Sequence, residues 1–113
     1  MLFEISPIGP GITRVMLSGR ADAAAVVGIE AALTAELRQA DGHVVLHLAA
    51  VPFMGSLGIR LLISIARLVA RRPARIAMTG VQPQVMDVFE TMALLDLIPH
   101  AQDQDAALAL LAE

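Results

Sequence analysis

The run His43-Val44-Val45-Leu46-His47-Leu48-Ala49 passes through Val51-Pro52-Phe53-Met54 into Gly55-Ser56-Leu57-Gly58, where a long apolar helical pattern begins at once. A strand this apolar on both faces belongs in the middle of a covered sheet. The pattern that follows has Leu61, Leu62, Ile65, Leu68 and Val69 on a broad apolar side and Arg60, Ser64, Arg67 and Arg71 in one narrow polar stripe. That spacing predicts a nearly buried helix with a single exposed edge. A central strand joined directly to a buried helix points to a layered α/β fold, with Ser56 at the junction.

The remaining segments agree. Leu2–Ser6 and Ile12–Ser18 flank Pro7-Ile8-Gly9-Pro10-Gly11 and predict an opening hairpin, with Val15 and Leu17 facing the core. Asp22 is a candidate N-cap for a helix running to about Ala40, in which Val26, Ile29, Leu33 and Leu37 recur at helical spacing. Arg72-Pro73 stops the helix after Ser56, and Ala74–Thr79 predicts a strand with Ile76 and Met78 inward. A third helix is expected from Pro83 to Ala93, packing through Val85, Val88, Phe89 and Met92. Leu97–His100 reads as short and extended, and Asp103–Ala112 as a last helix. A single domain over residues 1–113 is expected, with a sheet that is parallel in part after its hairpin and with right-handed crossovers.

Composition removes several function classes. The net charge is −3, lysine is absent, and the only basic cluster is Arg67, Arg71, Arg72 and Arg75, which argues against a nucleic-acid surface. Without lysine there is no P-loop lysine or Schiff base, and without cysteine no thiolate chemistry. Gly9, Gly11, Gly55 and Gly58 do not compose a dinucleotide fingerprint, so no cofactor is expected. His43 and His47 share a strand face about 13 Å apart, too far to share a metal ion. They are expected at the surface or rim, and His100 in a loop. The apolar window Val44–Ala70 is interrupted by His47, Pro52, Gly55, Gly58, Arg60 and Arg67, so no membrane insertion is expected. The N-terminus shows no signal-peptide pattern, which makes the cytoplasm the default expectation.

Three roles suit Ser56. At a helix start it can cap unpaired N–H groups, accept a phosphate beside the positive end of the helix, or act as a nucleophile. The G-x-S-x-G frame of a nucleophile elbow is missing, because Met54 stands where its first glycine would be.

Three segments carry a resemblance. Leu17-Ser18-Gly19-Arg20-Ala21-Asp22 resembles the L-S/T-G-x-x-D segment of STAS domains of the bacterial anti-sigma factor antagonist (anti-anti-sigma) type. Phe53-Met54-Gly55-Ser56-Leu57-Gly58-Ile59 resembles their F-x-D-S-S/T-G-L loop, and Val81-Gln82-Pro83-Gln84-Val85, with Phe89 and Leu94, resembles the later V-x-P-x-V helix. Two positions depart: Gly55 replaces the aspartate, and Leu57 stands where serine or threonine is frequent. The resemblance implies a STAS-like mixed sheet of four to five strands with an N-terminal hairpin and about four flanking helices.

It also implies a non-enzymatic regulatory protein that sequesters an anti-sigma factor/serine kinase of the GHKL type, with Ser56 as the phosphorylated position. Phosphate adds about −1.5 to −2 charges and blocks the complex. Asp22, Gly55, Ser56, Leu57, Gly58 and Arg60 are then the expected partner-binding residues, on a monomer or weak homodimer. Asp22 can be a contact as well as a cap, Leu57 offers an apolar contact, and Arg60 is either a partner to a phosphate or acidic residue or a solvated charge. The competing expectation is a STAS subunit of a lipid-trafficking ABC transporter assembly, stabilising its ATPase without phosphorylation.

Overall fold

The computed structural model describes residues 1–112; Glu113, the end of the expected domain, lies outside the described residues. Strands β1 (Leu2–Gly9) and β2 (Ile12–Ser18) are followed by α1 (Ala23–Gln39), β3 (His43–Ala50), α2 (Ser56–Ala70), β4 (Ile76–Thr79) and α3 (Pro83–Thr91). A 3₁₀ turn (Leu94–Asp96), β5 (His100–Ala101) and α4 (Gln104–Leu111) complete the fold. The five strands lie in chain order, β1-β2-β3-β4-β5, so β3 is central. The hairpin β1/β2 is antiparallel, with a bulge between Pro7 and Gly9, and every later pair is parallel.

Alternation along the strands divides the interior in two. Val15, Leu17, Val44, Leu46, Leu48, Ile76 and Met78 face α1, α2 and α3 in the main core. Val45, Ala77 and Ala101 face the other way, beneath Ala107 and Leu111 of α4. The helical stripe expected in α1 is the one buried: Val26, Ile29, Leu33 and Leu37. With few aromatics, the core is made of interlocking aliphatic chains around one fully buried ring, Phe89. Among the described residues no helix is long and apolar enough to cross a membrane.

Gly42 sets how closely the hairpin approaches β3. Its φ is +91°, and a Cβ there would sit 2.1 Å from the Gly11 carbonyl oxygen, which accepts from the His43 N–H at 2.8 Å. Only glycine allows both that conformation and that contact.

Four expectations are corrected. Helix α3 ends at Thr91, and of its proposed packing face only Val85 and Phe89 are buried, whereas Val88 and Met92 are 37% and 57% exposed. Nine residues make fewer than three turns, and only the pair Val85 and Phe89, four residues apart on one face, reaches the main core. Leu97 is not extended; it closes the 3₁₀ turn in a helical conformation. His100 opens strand β5 instead of lying in a loop. Arg72 is not part of an open basic patch. Its Nε donates to the Gly42 carbonyl at 3.1 Å and its Nη1 to the Leu37 carbonyl at 3.0 Å and to that of Ala40, so it closes the C-terminal end of α1.

Candidate functional site

In a parallel sheet the loops leaving the C-terminal ends of neighbouring strands gather along one rim, where such folds place their binding surfaces. Here three loops meet there. Residues 19–22 follow β2, residues 51–55 follow β3, and residues 80–82 follow β4. They are the three segments singled out in the sequence.

Backbone hydrogen bonds bind the first two loops together. Gly19 N–H donates to Ala50 O at 2.9 Å, Ala21 N–H to Phe53 O at 2.9 Å, and Gly55 N–H to Ala21 O at 3.0 Å, around an isolated parallel bridge between Ala21 and Met54. The third loop braces them from the side. Gln82 Nε2 donates to Ala49 O at 2.8 Å, while Gln84 Nε2 reaches Pro52 O at 3.2 Å and Gln82 Oε1 at 2.7 Å. The glutamines of the VQPQV segment thus satisfy carbonyls that the end of β3 leaves unpaired. Sequence reasoning missed this role, because nothing local to Gln82 or Gln84 points across 32 or 33 residues.

Helices α1 and α2 start side by side from this clamp. Asp22 is the N-cap of α1, its Oδ1 accepting from the Ala25 N–H at 3.0 Å. The cap of α2 is Gly55 and not Ser56, with no side-chain bond, which corrects the capping role considered for the serine. Ser56 is the first helical residue, exposed, and its hydroxyl makes no hydrogen bond among the described residues. No acidic side chain lies in the first turn of α2, so its N–H groups and positive end face outward without a side-chain partner.

The other expected site residues divide into surface and support. Arg60 is exposed one turn after Ser56. Gly58 is buried, because a Cβ there would lie 2.7 Å from Met54 Sδ and 3.1 Å from Ala21 Cβ; it lets α2 press onto the bridge between the loops. Leu57 is half-buried and packs against the main core. Phe53 of the same loop is 38% exposed, with the Arg20 guanidinium 4.4 Å above its ring centroid. A lone phenylalanine after Pro52 is the only sequence signal for this pair, and Arg20 carries none.

The histidines stand away from Ser56, on β3 and β5. His43 Nδ1 accepts from the Arg75 N–H at 2.8 Å, and His47 Nδ1 pairs with Thr79 Oγ1 at 2.9 Å. The geometry presents Ser56 as an open hydroxyl with no neighbouring base rather than as half of a nucleophile–base pair.

Known proteins share this fold. BtrV of Bordetella bronchiseptica, a candidate anti-sigma factor antagonist, is 27% identical over 99 residues, which cover 88% of this chain and 85% of BtrV. The crystal structure of an anti-sigma factor antagonist from Mycobacterium paratuberculosis superposes with a TM-score of 0.86 at 20% identity, over 99% of this chain and 94% of that one. SpoIIAA, a Bacillus cell fate determinant, superposes in its phosphorylated form with a TM-score of 0.72 at 21% identity, over 96% and 99% of the two chains. The STAS domain family matches residues 6–107, a span that holds all three rim loops and strands β2 to β5, and the chain belongs to that family.

Proposed function

We propose that the protein is an anti-sigma factor antagonist: it binds an anti-sigma factor through the rim around Ser56, and phosphorylation of Ser56 by a GHKL-type serine kinase partner releases it. The observation that carries this reading is the open Ser56 hydroxyl at the start of α2, flanked by two hydrogen-bonded loops and required by no contact of the fold. A phosphate there adds about −1.5 to −2 charges at the positive end of a helix, where the protein tolerates it and a docked partner must accommodate it. BtrV and SpoIIAA, similar over most of their lengths, support the reading by what they are called.

The binding surface would combine the exposed Phe53–Arg20 pair as an apolar and cationic anchor with Asp22, Ser56 and Arg60 at its rim. Gly55, Leu57 and Gly58 act on it indirectly, by shaping the start of α2. The test is capture of the native partner by wild type, Ser56→Ala and Ser56→Asp. Wild type and Ser56→Ala should retain the anti-sigma factor while Ser56→Asp loses it, and mass spectrometry of native protein should find phosphate on Ser56. Equal capture by all three variants would sink the switch. Recovery of an ABC ATPase and permease in place of a kinase would move the protein to the transporter-associated role.

A further inference from the structure

Away from the rim, the basic ends of two helices converge on one groove. Thr34 and Arg38 of α1 and Ser64, Arg67, Leu68 and Arg71 of α2 line a shallow cavity of about 250 Å³. Every polar side chain in that lining is a hydrogen-bond donor: three guanidinium groups and two hydroxyls, with no carboxylate. Among the described residues, no acidic side chain pairs with any of the three arginines. Scarcity does not explain this, since the chain holds 11 acidic residues against 8 basic ones, and Glu36 and Asp41 flank Arg38 in sequence without lining the groove.

The helix macrodipole accounts for part of the pattern. Arg38 and Arg67 lie in the last turns of their helices, where a cation is favoured by about 0.3–1 kcal/mol. It does not require both, with Arg71, to face the same cleft, where like charges repel. Nor do the terminal carbonyls of α1 hold them, because Arg72 already bonds to Leu37 O and Ala40 O. The groove is therefore a concentration of positive charge and donors that nothing in the described chain neutralises.

We propose that this groove binds a phosphoryl oxyanion, as free phosphate or the head of a small phosphate monoester, with Arg38, Arg67 and Arg71 on its oxygens and Thr34 and Ser64 donating from the walls. Planar guanidinium groups match phosphate oxygens in paired hydrogen bonds, and donors from two helices surround a tetrahedral anion more completely than a planar carboxylate. The cavity lies below the size range of drug-like pockets, which suits a compact ligand. Along α2 its lining runs from about 12 Å (Ser64) to about 22 Å (Arg71) from Ser56, at 1.5 Å per residue, so the groove and the proposed switch can fail separately.

The test is an amide-resolved NMR titration with sodium phosphate and with glycerol 3-phosphate, at ionic strength held constant with sodium chloride. Saturable shifts are expected at residues 34, 38, 64, 67 and 71 and at the Arg Nε–H groups, in the millimolar range or tighter. The double variant Arg67→Gln/Arg71→Gln, exposed and therefore expected to keep the spectrum of the folded chain, should weaken binding at least about tenfold. Arg75→Gln, outside the groove, should leave it unchanged. Tighter binding of glycerol 3-phosphate than of phosphate identifies an ester as the ligand form, and equal binding identifies the free oxyanion. The proposal is overturned if neither probe saturates, if chloride alone reproduces the shifts, if the shifts centre on residues 56–58, or if the double variant binds as wild type does.

Discussion

Gly55→Asp should stabilise the protein, although it replaces a glycine at a helix start inside the hydrogen-bonded loops of the site. The backbone at Gly55 has φ −87° and ψ −178°, and at Asp22, which caps α1, it has φ −83° and ψ 173°. The two conformations are nearly the same, and any residue adopts them. A Cβ on Gly55 would meet Ala21 O and Phe53 Cε2 at 3.5 Å, ordinary contact distance. An aspartate should therefore accept from the Gly58 N–H as Asp22 accepts from that of Ala25.

Three increments add. A side-chain cap improves on glycine by a few tenths of a kcal/mol. Losing glycine's freedom in the unfolded chain contributes about 0.4–1 kcal/mol. A carboxylate at the positive end of α2, which lacks any acidic residue in its first turn, contributes about 0.3–1 kcal/mol. The total, about 1–2 kcal/mol, should raise Tm by roughly 5 °C or more in a chain of this length. With no tryptophan or tyrosine in the sequence, urea unfolding is best followed by far-UV circular dichroism. The expected result is a higher midpoint at unchanged slope, with Gly55→Asn giving the gain less its charge-dependent part. An unchanged or lowered midpoint for both variants would refute the equivalence of the two helix starts.

Gly58→Ala should behave oppositely. Helix propensity favours it by about 1 kcal/mol, but the new methyl must displace Met54 and Ala21, and overpacking of about 1–3 kcal/mol wins; a net gain in urea stability would contradict this. Arg72→Ala removes three charged hydrogen bonds from the end of α1 and should cost about 2–4 kcal/mol, with hydrogen exchange accelerating at residues 37–42 before it does in α2. Burial lowers the His100 pKa from 6.5, and its Nε2 has no hydrogen-bond partner among the described residues. The unfolded chain therefore takes up the proton first as pH falls. Stability should be full above pH 6.5 and decline between 6.5 and the lower folded value, and His100→Gln should flatten that slope.

What the sequence made legible follows from periodicity. Val26, Ile29, Leu33 and Leu37 were readable as one face because a helix of 17 residues repeats the signal enough times to identify it. The central place of β3 followed from its two apolar faces, which only cover on both sides can bury. In α3 the same reasoning overreached, since nine residues repeat the signal too few times to fix the buried face. Of the three roles open to Ser56, capping fails by one residue, a shift within the normal uncertainty of a helix start but enough to leave the side chain free. Beginning the helix at Ser56 also turns Leu57 toward the core and leaves the Phe53 ring, before the bridge, partly exposed. The glutamine brace and Arg72 were illegible because their partners lie 30 or more residues away in sequence.

Because the fold does not use the Ser56 hydroxyl, charge can be placed there without structural loss. Ser56→Asp should leave stability unchanged or raise it by up to about 1 kcal/mol, since an anion in the first turn is favoured by the helix dipole. A loss of more than that in urea unfolding would mean that the hydroxyl holds the loop. If stability is kept, the two states of the proposed switch share one fold, and a partner must tell them apart by charge or by bulk at the docking surface. Salt separates these. Exposed charges are screened over about 8 Å at physiological ionic strength and over about 3 Å at 1 M salt, whereas a steric clash is indifferent to ions. Discrimination between wild type and Ser56→Asp that collapses in high salt assigns the switch to electrostatics, and discrimination that persists assigns it to shape.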